Sequence, residues 1–213
     1  MSTTAAVPPR AGGRSARPAR PGSEVGLAVL LLGGLAAAVV LRTAVGGAGV
    51  ARSPVAGLLF AGVLVALAAI ARPQWLPRPA RTSPLRGLAY GLAGAVVLCL
   101  PALASRWDAG TLAARPGDAF FNWAAVVAVV AIAEEWFLRG VLHRLLEPRG
   151  TVVALLVPAG AFAALHLPLY GLAALPLDLA VGIWLGALRI VAGRWSAPAV
   201  AHVVADWAAW FIA

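Results

Sequence analysis

Seven apolar runs make up most of this chain: Val25–Leu41, Val55–Ala71, Leu85–Ala104, Ala119–Leu145, Thr151–Leu167, Ala174–Val191 and Ala197–Ala213. Each is close to the ~17–25 residues that a helix needs to cross ~30 Å of hydrocarbon. The pattern therefore predicts an all-α fold, a polytopic transmembrane bundle of about seven spanning helices. Polar residues fall mainly between the runs. The fourth run breaks that rule: every residue from Ala124 to Ile132 is Ala, Val or Ile, and then Glu134, Glu135 and Arg139 arrive without a turn signal. A carboxylate at the centre of a bilayer costs roughly 2.5–3.5 kcal/mol on insertion scales, so an ionisable residue there marks a functional site by default.

Ahead of the first run, Met1–Ser23 is rich in Pro, Ala, Gly and Ser, carries Arg10, Arg14, Arg17 and Arg20, and lacks apolar periodicity. That composition predicts a disordered tail. The first run exceeds the ~7–15 residues of a signal-peptide core and is followed by further spans, which predicts a retained helix. Arginine placement sets the expected orientation. Thirteen arginines fall in the tail, between the second and third runs, after the fourth, and between the sixth and seventh; Arg42, Arg52, Arg106 and Arg115 fall on the other side. Short cytoplasmic loops hold the excess of positive charge, so the N-terminus is expected inside and the C-terminus outside. Trp75, Trp107, Trp123 and Trp195 lie near predicted span ends, as in an interfacial aromatic belt. Pro101, Pro158, Pro176 and Pro198 fall in or at the ends of membrane helices, where freed carbonyls find other partners.

Composition sharpens this picture. The chain is 62% hydrophobic and 12% charged with mean hydropathy +0.89, against about 25% charged in soluble domains. The net charge of +9 is scattered through the loops and has neither the stripe nor the motif of a nucleic-acid reader, so no nucleic-acid partner is expected. The single cysteine, Cys99, excludes an intrachain disulfide or a multi-cysteine metal site and reads as a small buried hydrophobe.

Three polar pairs carry the candidate chemistry. Glu135 and Arg139 stand at i,i+4 with the acid N-terminal, the better orientation for an ion pair; this couple reads as structural, near the cytoplasmic interface. Glu134, about 100° round the helix, is left for chemistry. The fifth run holds Phe162 and His166 at i,i+4, with Phe162 read as packing, and the seventh holds His202 and Asp206. At ~1.5 Å per residue from the cytoplasmic helix ends, Glu134 lies ~15 Å deep, His166 ~22 Å, His202 ~8 Å and Asp206 ~14 Å. One cavity opening toward the cytoplasm is expected to contain all four. His143 is expected at the interface, Asp178 facing solvent or a loop, and Gly182 with Gly186 in close helix packing.

In order and on separate helices, Glu134-Glu135-xxx-Arg139, Phe162-xxx-His166 and His202-xxx-Asp206 resemble the EExxxR, FxxxH and Hxxx(N/D) signatures of the CPBP intramembrane endopeptidases. That family holds the CAAX prenyl endopeptidases and the bacteriocin-processing, Abi-type membrane proteins. The resemblance covers roughly Ala119 to Ala213. Beside the disordered, Arg/Pro-rich cytoplasmic tail at 1–24 read from composition, it implies variable transmembrane helices at 25–118 and a protease core in the last four helices at 119–213. It also implies hydrolysis of a peptide bond in a membrane-anchored substrate. Glu134 and His166 would activate water, His202 and Asp206 would stabilise the oxyanion, and Glu135, Arg139 and Phe162 would support them. An ionised Asp206 cannot donate to an oxyanion as Asn would. Either Asp206 is protonated, or it orients and charges His202.

A metal-free, glutamate-type mechanism is expected, with no cofactor. The alternative is zinc on Glu134, His166 and His202, a His/His/carboxylate set without the HExxH helix that makes zinc specific. Other functions compatible with buried charges are a non-catalytic immunity or partner-binding protein of the same fold and a proton-coupled transporter. The complete motif set argues against the first, and the absence of an internal repeat argues against the second. The expected location is a bacterial cell membrane with the N-terminus cytoplasmic.

Overall fold

A computed structural model describes residues 21–47, 50, 53–71, 82–109 and 120–212. Residues 1–20 of the expected tail, and Trp75, lie outside the described residues. The helices are α1 (Pro21–Gly46), α2 (Pro54–Ile70), α3 (Pro84–Ala109), α4 (Phe120–Glu135), α5 (His143–Leu146), α6 (Thr151–Tyr170), α7 (Leu175–Ala192) and α8 (Ser196–Ile212). A π-helical segment, Trp136–Leu142, fuses α4 to α5, and no strand occurs among the described residues. The seven expected runs therefore appear as seven long helical elements. The first differs most, because α1 begins inside the expected tail and continues past Leu41, which carries Arg42 within the helix.

Local sequence explains the boundaries. Ser53 caps α2, its Oγ accepting from the Ala56 N–H at 3.3 Å with Pro54 at the first helical position; Ser83 and Pro84 repeat the device at α3. Both use the serine oxygen to satisfy an orphan N–H and the proline to occupy a position that needs none. Gly193 closes α7 in the left-handed conformation, φ 66°, where glycine has no steric penalty.

The surface is what lipid requires. Val40, Leu85, Phe121, Val152 and Leu172 are 66–77% exposed, an apolar load that would drive aggregation in water. Three stretches, Glu24–Gly46, Thr151–Tyr170 and Leu172–Ala192, are long and apolar enough to cross a membrane. Inside, the rod Phe120–Leu146 is central. Every residue from Phe137 to Leu142 is buried, so this segment has no lipid face. It packs among α2, α6 and α8, while α3 lies on α8, α6 on α7 and α1 on α2.

Glycine sets two of these approaches. A Cβ on Gly182 would lie 2.8 Å from the Ala159 carbonyl oxygen, and one on Gly91 would lie 2.6 Å from Val200 Cβ and 2.8 Å from the Ala197 oxygen. The α6–α7 and α3–α8 contacts are thus backbone-close, as small residues permit in membranes. The expected packing role of Gly182 and Gly186 is what the structure has.

One end of the bundle is tied by charge. Arg149 reaches Glu24 at 3.4 Å, Arg189 reaches Glu147 at 3.8 Å, and Arg194 donates to the Thr82 carbonyl at 3.3 Å. The starts of α1, α3 and α8 and the ends of α5 and α7 therefore share one end, as the arginine pattern requires. His143 lies at this end, 3.8 Å from Glu147, and is buried because the helix continues through it as α5 and its neighbours cover it. Two expectations fail. Cys99 is half-buried, since α3 is peripheral. Asp178 is half-buried too, and its Oδ2 is covered with no hydrogen-bond partner among the described residues.

Candidate active site

Glu134 and Glu135 are the last two residues of α4, at the junction with the π-helical segment. Here the backbone bonding changes register, the His143 N–H reaching back five residues to the Leu138 carbonyl. Such π segments recur at functional sites. Arg139 Nη1 donates to Glu135 Oε1 at 2.7 Å, both side chains fully buried, and Arg139 Nη2 donates to the Gly182 carbonyl at 2.9 Å. The i,i+4 couple is present as expected. It is fully buried in the bundle, where Gly182 lets α7 bring an acceptor to the second guanidinium nitrogen.

Glu135 is also more than a partner for Arg139. Its Oε1 stands 3.2 Å from His202 Nδ1, and His202 Nε2 stands 3.5 Å from Asp206 Oδ2. Both ring nitrogens of His202 thus face carboxyl groups, and both contacts are satisfied when both nitrogens carry protons or when one nitrogen accepts from a protonated carboxyl.

His166 is set differently. Its Nδ1 lies 2.9 Å from the Phe162 carbonyl; a carbonyl only accepts, so Nδ1 holds a proton, and in the neutral ring Nε2 presents a lone pair. Tyr170 stacks on the ring at 5.7 Å and 12°. Phe162, expected as packing, has a wider part. It is 2% exposed, and its ring meets His166 at 4.4 Å, His202 edge-on at 5.4 Å, and the Arg139 guanidinium at 4.9 Å. One aromatic ring therefore sets the spacing of both histidines and covers the buried cation.

Glu134, His166, His202 and Asp206 line one cavity of about 450 Å³. The common cavity was expected; its direction was not. It runs along α4 from Glu134 back to Asn122 and is bordered by Ser53 at the start of α2 and Tyr170 at the end of α6. These are the helix ends opposite the arginine-tied end. The cavity therefore leads away from the end where α1 begins, reversing the expected opening on the N-terminal side. The cause lies in the helix directions: His166 is followed by only one more turn of α6, and α4 approaches Glu134 from that same far end.

The sequence reading missed Arg42. It is 9% exposed, lines the cavity, lies over the Phe60 ring at 4.9 Å, and brings Nη1 to 3.9 Å from Glu134 Oε1. The signal available was that Arg42-Thr43-Ala44-Val45 continues the first helix as readily as it begins a loop. Among the described residues, no three His, Cys, Asp or Glu side chains form a group that could hold a metal ion. The zinc set of Glu134, His166 and His202 is not drawn together as such a group.

Fold and site together define a polytopic α-helical membrane protein with a buried carboxylate–histidine cavity. Residues 116–208, under half of the chain, match the family model Rce1-like, described as type II CAAX prenyl endopeptidase Rce1-like, a likeness that supports the CPBP/CAAX protease family. The match supports a CAAX-type intramembrane endopeptidase in general and an integral membrane protein acting on peptide substrates. No curated protein and no solved structure matches the chain.

Proposed function

We propose that this protein hydrolyses a peptide bond of a membrane-anchored substrate by a metal-free, glutamate-type mechanism. The observation that carries the reading is the division of labour between adjacent carboxylates. Glu135 is consumed by Arg139 and His202, while Glu134 faces the cavity that also holds the free Nε2 of His166. Water held between Glu134 and His166 gives a proton to the Glu134 carboxylate as its oxygen bonds to the scissile carbonyl carbon, and the carbonyl π pair moves to oxygen. Collapse restores the carbonyl and breaks the C–N bond, and Glu134 passes its proton to the leaving amine. His202 and Asp206 form the electrophilic wall, with Glu135 orienting the imidazole from behind. With the arginine-tied end cytoplasmic, the cavity leads to the opposite face of the membrane.

The test is cleavage of a library of membrane-anchored peptides by purified wild type, Glu134→Gln and His166→Ala, each with and without a strong chelator. The expected result is cleavage by wild type that is indifferent to chelator and lost in both variants. Chelator-sensitive cleavage restored by zinc would replace the mechanism with a metal one. Variants that cleave like wild type would overturn the enzyme reading in favour of a partner-binding protein.

A further inference from the structure

The electrophilic wall of the proposed site is short of hydrogen-bond donors. Asp206, when ionised, only accepts, and the two ring nitrogens of His202 are directed at Glu135 and Asp206. A tetrahedral intermediate places a full negative charge on oxygen, and preorganised donors aimed at that charge are commonly the largest single contribution to such catalysis. Ser53, Asn122, Trp123 and Tyr170 also bring donors to the cavity lining, but Arg42 is the cationic one and stands beside Glu134. We infer that Arg42, contributed by α1 and lying outside the matched region 116–208, is the catalytic donor that stabilises the oxyanion.

Three observations carry this assignment. Arg42 is buried and lines the same cavity as Glu134. Its Nη1 stands 3.9 Å from Glu134 Oε1, beyond hydrogen-bond range, so Glu134 attracts the guanidinium without occupying its N–H groups. Its Nε is covered and has no hydrogen-bond partner among the described residues. The guanidinium is steadied from below by the Phe60 ring of α2. A carbonyl carbon attacked by a water on Glu134 sits about 3–3.5 Å beyond that water, within reach of donors that flank the same carboxylate. The π pair leaving the carbonyl is received by fixed N–H groups, and no proton or other bond changes on Arg42. The α1–α2 pair is thereby part of the active site and not only a variable flank.

This inference rests on the endopeptidase reading, so the two are tested side by side on the best-cleaved peptide. Arg42→Gln is expected to lower kcat about 10²–10³-fold with KM little changed, and Arg42→Lys, which keeps the charge but loses the fork, to fall between it and wild type. A phosphonate analogue of the tetrahedral intermediate is expected to lose affinity in parallel with kcat/KM, while an uncleavable substrate analogue binds as before. A purely structural role for Arg42 would lower the melting temperature and leave that difference between analogues intact. If Arg42→Gln does not fold, Arg42→Lys decides: reduced kcat at unchanged KM supports the assignment, and wild-type kcat overturns it. An inactive Glu134→Gln beside a fully active Arg42→Gln overturns this inference alone. A fully active Glu134→Gln overturns the endopeptidase reading instead.

Discussion

Replacing Arg139 with leucine removes the guanidinium bonded to Glu135 while leaving that carboxylate in a fully buried position. Breaking a buried ion pair by deleting one partner costs about 3–5 kcal/mol, because the remaining charge is left uncompensated. Glu135 keeps His202 at 3.2 Å, which moves the expected cost toward the lower end of that range. The Gly182 carbonyl and the Phe162 ring also lose their contacts with the guanidinium, which moves it back. For a chain of about this size, roughly 2–4 °C of melting temperature per kcal/mol converts the range to about 6–20 °C. Tryptophan fluorescence during heating in detergent measures it. Removing both charges in Arg139→Leu/Glu135→Leu is expected to recover most of the stability, since an apolar pair often replaces a buried ion pair at little cost, and none of the cleavage, since His202 loses its orienting carboxylate. A single variant melting within about 1 °C of wild type, or a double variant no more stable than the single, would refute the reasoning.

Gly182→Ala is expected to lower the melting temperature and activity together, because its Cβ would press on the Ala159 backbone and shift the acceptor of Arg139; Gly160→Ala, with nothing within 4 Å of its Cβ, is the neutral comparison in the same melts. Phe162→Leu keeps an apolar side chain but loses the ring between the two histidines, so kcat is expected to fall by a larger factor than the change in stability accounts for, read by steady-state cleavage beside thermal melts. Trp207→Phe removes the 3.0 Å bond to the Ala124 carbonyl that joins α8 to α4; a loss of about 1 kcal/mol is expected in the same thermal assay, with cleavage retained.

The spans and the local pairs were legible in the chain itself. A helix that lies in lipid needs a fixed length of apolar residues, so the runs marked the long helices to within a few positions for most of them. Contacts three or four residues apart follow from helical periodicity. For that reason Glu135 with Arg139, Phe162 with His166 and His202 with Asp206 could be paired before any tertiary contact was known. Even so, a uniform α-helix was assumed where the chain turns π-helical after Glu135.

Tertiary structure decided the rest, because the rotation and approach of one helix against another depend on packing that no single segment encodes. Gly182 and Gly91 allow backbones to meet, which brings the Gly182 carbonyl to Arg139 and buries the Glu135–Arg139 couple. The lie of α8 against α4 joined His202 to Glu135. The same packing placed Arg42 of α1 beside Glu134 of α4 and turned the cavity toward the end opposite the arginine ties. Periodicity orders residues along one helix; which charge from a distant helix completes the site is settled only when the bundle closes.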